Sequence, residues 1–184
     1  MSPLSPTRLA ALAALPFLFI SAALAQDAAP APAAFPGGAR SITEAHGDWE
    51  LLCGLVAQAR TCLVTQTLAD EQNGQRLLSV ELEPSGAGAA TGTLLLPFGL
   101  LLTEGIKIQA DAAFVGEARP FQVCYEHGCH VNLVFSQAEM ELLRRGNAIN
   151  FIGKLADSGE TITLSASLSG IANALGRALA LTSD

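Results

Sequence analysis

The chain has little positive charge and few aromatic side chains. Of its 184 residues, 10 are Lys or Arg against 17 Asp or Glu, and the formal net charge is -7 at pH 7. Nucleic-acid binding needs clustered Lys and Arg to displace counterions, and the only adjacent basic pair is Arg144 with Arg145. The sequence therefore excludes nucleic acid as a predicted partner and disfavours an anionic membrane surface.

Recognisable catalytic patterns are also missing. The sequence contains no Gly-x-Ser-x-Gly elbow and no Cys-x-x-Cys pair, and the Gly/Ala run 86–90 lacks the helix that a phosphate-binding loop requires. The paired carboxylates at 81/83 and 139/141 are spaced for a solvated sheet face and a helix flank. The sequence therefore predicts a protein that is not an enzyme, with no catalytic residue, no cofactor and no metal.

The first 25 residues have the three parts of a secretory signal. Arg8 is the basic element, 9–20 is an apolar run, and Ala23-Leu24-Ala25 is a small-residue cleavage site. We predict export by the Sec route and cleavage between Ala25 and Gln26. The apolar run is short for a membrane span and a proline interrupts it, so the mature chain is not expected to span a membrane.

The remaining chain divides into a linker and one domain. Residues 26–44 are rich in Ala, Pro and Gly, which cannot build a core. The domain is predicted over 45–184, where segments of period two alternate with turn residues, as in antiparallel sheets. The expected strands are 48–53, 61–67, 76–83, 91–96, 105–110, 121–125, 130–135, 148–154 and 161–168. Nine short strands in one all-β domain indicate a β-sandwich.

Two helices are expected within this β pattern. Ser136 and Glu139 form a Ser-x-x-Glu capping box and Gly146 is a stop signal, which predicts a short inserted helix over 137–145. A C-terminal helix is expected from about 170 to 181, because its apolar residues recur at helical spacing.

The most apolar stretch after the signal is 94–102, which Pro97 and Gly99 interrupt. Because proline cannot donate to a sheet ladder, we expect this segment to cross from one sheet to the other. We expect Leu95, Phe98 and Leu101 to be partly buried there. The alternative is an exposed patch around Phe98 that docks a partner.

Four cysteines, Cys53, Cys62, Cys124 and Cys129, are compatible with three sets of two disulfides. We favour Cys53 with Cys62 and Cys124 with Cys129, because each pair flanks a plausible strand reversal. Disulfides suit an oxidising compartment, here the periplasm or the cell surface. The alternative is a metal site formed by Cys124, His127, Cys129 and His130, but structural zinc ligands usually come as two separated pairs.

The order of several short motifs resembles the invasion-associated locus B family of exported bacterial proteins. The motifs span about residues 46–180. They are Gly47-Asp48-Trp49 with Cys53, Cys62 with Gln66, Leu96-Pro97-Phe98-Gly99-Leu100-Leu101-Leu102 with Gly105 and Asp111, Cys124 with Gly128-Cys129, and Leu164 with Ser167-Leu168-Ser169-Gly170 before a closing helix.

The resemblance implies an immunoglobulin-like β-sandwich in the periplasm or at the cell surface, without established catalytic residues. In pathogenic relatives the family is linked to host-cell attachment or entry. We therefore predict a non-catalytic binding or accessory protein that recognises an unknown protein or envelope component through sandwich loops or an edge strand. The alternative is a hydrolase or metal-dependent envelope enzyme with an unrecognised site.

Overall fold

The computed structural model describes residues 34–86 and 88–183. Within these ranges the chain forms eleven β-strands and two α-helices. The strands are β1 (Ile42–His46), β2 (Trp49–Val56), β3 (Ala59–Ala69), β4 (Arg76–Pro84), β5 (Ala90–Leu96), β6 (Lys107–Ala110), β7 (Ala113–Phe114), β8 (Phe121–Tyr125), β9 (Gly128–Phe135), β10 (Ala148–Lys154) and β11 (Thr161–Ser167). The helices are α1 (Gln137–Arg145) and α2 (Ile171–Thr182). The predicted signal peptide and its cleavage site, Ala25 and Gln26, lie outside the described residues.

The strands form two antiparallel sheets, which confirms the predicted all-β class and is consistent with an immunoglobulin-like sandwich. The larger sheet has seven strands in the order β1-β2-β3-β4-β5-β9-β8, so its first five strands form a meander. The smaller sheet has four strands in the order β11-β10-β6-β7. Inward side chains of both sheets belong to one buried apolar cluster, in which Trp49, Phe135 and Phe151 are the largest members.

Both predicted helices are present. Helix α1 begins after Ser136, whose hydroxyl accepts a hydrogen bond from the Glu139 amide, while the Glu139 carboxylate accepts one from the Ser136 amide. Helix α2 contacts β1 to β4 and buries an apolar stripe that includes Leu175 and Ala178. None of the described helices is both long enough and apolar enough to cross a bilayer.

The structure has two strands that the sequence pattern did not predict, and one of them moves the start of the domain. Strand β1 occupies Ile42–His46 and pairs along its whole length with β2. Phe35, farther upstream, is only 2% exposed. Strand β1 therefore begins inside the segment 26–44 that was expected to be a linker, and its residues Ile-Thr-Glu-Ala-His include no Pro or Gly. The other added strand, β7, has only two residues.

The segment 94–102 passes from the larger sheet to the smaller one, as predicted, because Leu100 forms a bridge with Leu155 next to β10. The expectation that Phe98 is partly buried was wrong, since this side chain is 60% exposed. Pro97 to Gly99 form the bend between the sheets, where neither sheet covers the ring. The fully buried side chains of the segment are Leu94, Leu96 and Leu100, and the half-buried ones are Leu95 and Leu101.

Candidate functional site

Each disulfide closes one hairpin of the larger sheet. Cys53 and Cys62 lie directly opposite each other on β2 and β3, with their Cα atoms 4.1 Å apart. Cys124 and Cys129 are opposite residues of β8 and β9, with a Cα separation of 3.9 Å. A covalent bond between opposite residues prevents the two strands of each hairpin from slipping past each other. The register matters because a slip of one residue would turn every side chain to the other face.

The disulfide between Cys124 and Cys129 argues against the alternative metal site. The sulfurs of Cys124 and Cys129 are bonded to each other, so neither is free to act as a thiolate ligand. The His127 side chain is 73% exposed and lies beside the Glu126 carboxylate. Across the described residues, no group of three or more His, Cys, Asp or Glu side chains is placed to hold a metal ion.

Residues from the first two and the last of the short motifs lie together where the larger sheet contacts the end of β11. We call this cluster the clasp; its members are Gly47, Trp49, Gln66, Ser167 and Gly170. The Gln66 side chain is 5% exposed, and its amide donates to the carbonyls of Asp48 (2.8 Å) and Ser167 (3.2 Å). Its Oε1 accepts from the Ser167 amide at 2.9 Å, and Trp49 Nε1 donates to the Ser167 carbonyl at 2.8 Å. The clasp therefore joins the larger sheet to the last residue of β11.

Two glycines allow the backbones of the clasp to touch. Gly47 has a φ of +60°, and a Cβ atom there would lie 2.6 Å from the Ser169 carbonyl oxygen. Gly170 has a φ of +92°, and a Cβ atom there would lie 1.9 Å from the His46 carbonyl oxygen. Only glycine fits at both points, because a side chain would meet backbone that cannot move aside. These motif residues hold the fold together and are not arranged around a cavity.

Asp111 has a similar structural role. It adopts a left-handed conformation (φ +50°) at the turn between β6 and β7. Its carboxylate accepts hydrogen bonds from the backbone amides of Asn147 (3.1 Å) and Ala148 (3.0 Å), where β10 begins. The motif carboxylate is therefore engaged in positioning backbone.

Two further carboxylates are paired with arginines between elements. Arg177 of α2 makes a two-pronged contact with Glu44 of β1, with Nη2 to Oε1 at 2.8 Å and Nε to Oε2 at 3.0 Å, and this hydrogen bonding lowers the pKa of Glu44. Burial raises the pKa of Glu139, but hydrogen bonds from Ser136 together with the charge of Arg119 bring this pKa below its usual value. Both groups therefore favour the charged form.

The two sheets have four edge strands, and three of them are protected against pairing with another chain. Strand β7 has only two residues, β8 has five and contains a register shift, and β1 carries Glu44 held by α2. Strand β11 differs from all three. It has seven residues in unbroken register with β10, and its sequence Thr-Ile-Thr-Leu-Ser-Ala-Ser contains neither charge nor proline.

The hydrogen-bond pattern shows which backbone groups β11 leaves free. The Glu160 carbonyl accepts from Leu155, and the Leu168 amide donates to Asn147, so even-numbered residues of this strand face β10. Odd-numbered residues therefore direct their amides and carbonyls outward. The clasp occupies those of Ser167, whereas no partner within the described residues engages those at 161, 163 and 165. The sheet edge is therefore open at three alternate residues, 161, 163 and 165.

A groove lies on the outer face of the smaller sheet, beside this edge. Its volume is about 170 Å³, and it is lined by Glu104, Gly105, Lys107, Phe114, Ile152, Gly153, Lys154 and Thr161. Lys107 and Lys154 are the only lysines in the chain. Phe114 is 59% exposed. Sequence reasoning missed this groove, although the rarity of lysine and its occurrence in two predicted strands were visible signals.

The fold and these sites define a small two-sheet β protein with two crosslinked hairpins and an open sheet edge at β11. A model of the family described as Invasion associated locus B (IalB) protein matches residues 49–178. The chain belongs to this family, which confirms the resemblance carried by the motifs.

Individual relatives agree with the family match. An invasion protein B homologue of Brucella abortus (strain 2308) is 32% identical over 150 residues, which cover 82% of this chain and 86% of the relative. Invasion protein B of Bartonella bacilliformis is 33% identical over 173 residues, which cover 90% and 92%. The crystal structure of invasion associated protein B from Bartonella henselae aligns with a TM-score of 0.72 and 26% identity, covering 77% of this chain and 97% of that one.

Proposed function

We propose that this chain is an exported, non-catalytic binding protein of the periplasm or cell surface, and that it binds an extended protein segment along the open edge of β11. The observation that carries the proposal is the set of outward backbone groups at 161, 163 and 165. Strand addition at an exposed edge supplies main-chain hydrogen bonds, and neighbouring side chains supply specificity.

Two observations support export. The N-terminal 25 residues have the composition of a Sec signal, and two disulfides suit an oxidising compartment. The names of the Brucella and Bartonella relatives connect those proteins with invasion. A binding role at the bacterial surface is the property that we extend to this chain.

The hydrogen bonds made by the motif side chains support a non-catalytic role. Gln66, Trp49 and Asp111 direct their polar atoms at backbone groups of this same chain. Side chains that complete a buried or turn hydrogen-bond network have no polar atom left to contact a substrate. The relatives, too, carry names of invasion proteins and not of enzymes.

Two edge variants test the proposal. Thr163→Pro removes one outward amide without touching the β10 ladder, and Thr163→Glu adds a negative charge to the open edge. The matched control is Thr91→Glu on the exposed face of the interior strand β5. All four proteins, wild type included, are compared by circular dichroism and as bait in envelope extracts quantified by mass spectrometry.

We expect a protein captured by the wild type and by Thr91→Glu, and lost with both Thr163 variants while their melting temperatures stay close to that of the wild type. Equal capture by all four proteins would overturn the edge as the binding site.

A further inference from the structure

We infer that the segment bound at β11 is acidic, and that one of its carboxylates is held by the lysine groove on the outer face of the smaller sheet. This inference rests on the proposed function, since it concerns the chemistry of the segment that occupies the edge. The carrying observation is that both lysines of an acidic chain line one groove beside the open edge of β11.

The strand register places the two lysines as neighbours. Lys107 of β6 lies opposite Ile152 of β10, and Lys154 of the same strand lies opposite Thr161 of β11. Lys107 and Lys154 thus stand diagonally on adjacent strands, with Ile152 between them. Both lysines of a chain with net charge -7 therefore lie on one face of the smaller sheet, where Glu104 also lines the groove.

The charges in the groove do not cancel. Lys154 Nζ lies 3.0 Å from Glu104 Oε1, but both side chains are more than 40% exposed, so water screens this pair. Within the described residues Lys107 has no carboxylate oxygen within 4.0 Å, although Glu117 lines the adjoining depression beside Phe114. A carboxylate brought in above Thr161 therefore meets the Lys154 ammonium with Glu104 beside it, while Lys107 lies one strand farther from the edge.

The distances suit a side chain from an added strand. Neighbouring strands lie about 4.8 Å apart, so a strand added beside β11 has its backbone about 10 Å from that of β10. Its outward side chains stand next to Thr161 and Thr163, which are short. A Glu on the added strand and Lys154 on β10 can meet above Thr161, because each side chain spans part of that gap.

The lining of the groove also fits a carboxylate with an apolar stem. Ile152 and the exposed Phe114 ring give apolar contact surface, and the Thr161 hydroxyl can donate to an oxygen. A second copy of this chain would not supply the acid, because β11 itself is uncharged. Charge complementarity therefore favours an acidic partner segment over self-pairing.

Three capped heptapeptides test the inference as defined probes: Thr-Val-Thr-Val-Thr-Val-Thr, and the same peptide with Glu or with Lys in place of every Thr. Binding to the folded protein is measured by calorimetry at low and at physiological salt. We expect the Glu peptide to bind about five- to tenfold more tightly than the neutral one, with the difference shrinking in salt, and the Lys peptide to bind most weakly.

Lys107→Gln combined with Lys154→Gln should reduce the affinity for the Glu peptide to that for the neutral peptide. Arg145→Gln, which removes an 80%-exposed charge on α1, is the matched control and should leave both affinities unchanged. Thr163→Pro should weaken all the peptides, because it acts on the shared backbone edge.

The outcomes separate this inference from the proposed function. Equal binding of the Glu and neutral peptides, with both lost in Thr163→Pro, overturns the acidic segment and leaves edge binding intact. Failure of every peptide to bind overturns the edge itself as a site for strand addition. A wild-type dimer in analytical ultracentrifugation that Thr163→Pro abolishes would identify a second copy as the occupant and would also overturn the acidic segment.

Discussion

At the scale of single residues, Gln66 is the most consequential polar side chain of the fold. It is buried, and it bonds an amide and a carbonyl of Ser167 as well as the Asp48 carbonyl. Gln66→Leu keeps the approximate size but removes the partner of the Ser167 amide and the bond to the Asp48 carbonyl, while the Ser167 carbonyl keeps its bond from Trp49. We expect a loss of about 2–4 kcal/mol in the free energy of unfolding, measured by urea denaturation.

Gln122→Leu is the control for this change, because Gln122 is exposed on the edge strand β8 and bonds only the exposed Asn132. Its effect should stay within about 0.5 kcal/mol. If both substitutions cost the same, the clasp contributes nothing particular to stability.

Gly170 supplies the second prediction at this scale. Gly170→Ala places a methyl group against the His46 carbonyl in a left-handed backbone conformation, so we expect a loss of at least about 2 kcal/mol. Gly176→Ala is the matched control: no atom lies within 4 Å of its added Cβ, and it sits inside α2. That variant should be more stable than the wild type by about 0.5–1 kcal/mol. Thermal melts of the two proteins should therefore shift in opposite directions.

At the scale of elements, the two hairpin disulfides should differ in their contribution. Loop-entropy estimates give roughly 2–3 kcal/mol for either crosslink. Cys53 and Cys62 are also buried, at 6% and 3% exposure, whereas Cys124 is exposed. We expect the Cys53→Ala/Cys62→Ala double variant to lose more stability than Cys124→Ala/Cys129→Ala, because it also removes core volume. Urea denaturation of the two double variants and of the reduced wild type measures these losses. A larger loss in Cys124→Ala/Cys129→Ala would contradict the expectation.

The contact between β1 and α2 should be sensitive to acid. The hydrogen bond from Arg177 lowers the pKa of Glu44, so its stabilising effect is complete above the unfolded value of about 4.5 and is lost as the pH falls through the lower folded value. The difference in melting temperature between the wild type and Glu44→Gln should thus be present at pH 7 and shrink toward pH 3.

Glu139, whose pKa is also lowered, adds to the acid sensitivity of the wild type but is common to both proteins of that comparison. Glu141→Gln removes an exposed helix pair and should change the melting temperature less at pH 7 than Glu44→Gln does. A constant difference between wild type and Glu44→Gln across the pH range would contradict the assignment.

Local chemistry explains which elements the sequence predicted well. Helix α1 matched its expected bounds: the capping box of Ser136 and Glu139 fixes its start, and it ends at Gly146, which is extended (φ -78°) and not left-handed. Strand β1 was missed, because its place in the sheet depends on β2 and on α2 and not on its own short pattern. Phe98 was misassigned, because the direction of a side chain in a bend is set by the two sheets it connects.

The candidate site was the least predictable part. The open edge of β11 was recognised by comparing its length, register and charge with those of the other three edge strands. It also depends on which of its residues face β10. Neither property can be read from a short stretch of sequence. The lysine groove depends on a register between β6, β10 and β11 that joins residues about fifty positions apart. The motifs, by contrast, identified the family, because their residues maintain the clasp and the turns.

At the scale of the whole molecule, we predict that the protein is exported and that its signal peptide is removed. We expect the protein recovered from the cell envelope to begin at Gln26, because Ala23 and Ala25 are the small residues that signal peptidase requires. Ala25→Arg should block cleavage and leave the full-length mass. Intact-mass spectrometry distinguishes the two species, and a wild-type envelope protein that still carried Met1 would contradict the expectation.

The clasp also constrains the order in which the molecule can be completed. Its partners Trp49 and Ser167 are 118 residues apart. In a chain that emerges N-terminus first, each strand of the β1 to β5 meander can pair with its predecessor on arrival, whereas the clasp must wait for the last strand. A chain that ended before residue 167 would leave Trp49 Nε1 and the Gln66 side chain without their Ser167 partners. The native state therefore closes only once the C-terminal strand is in place.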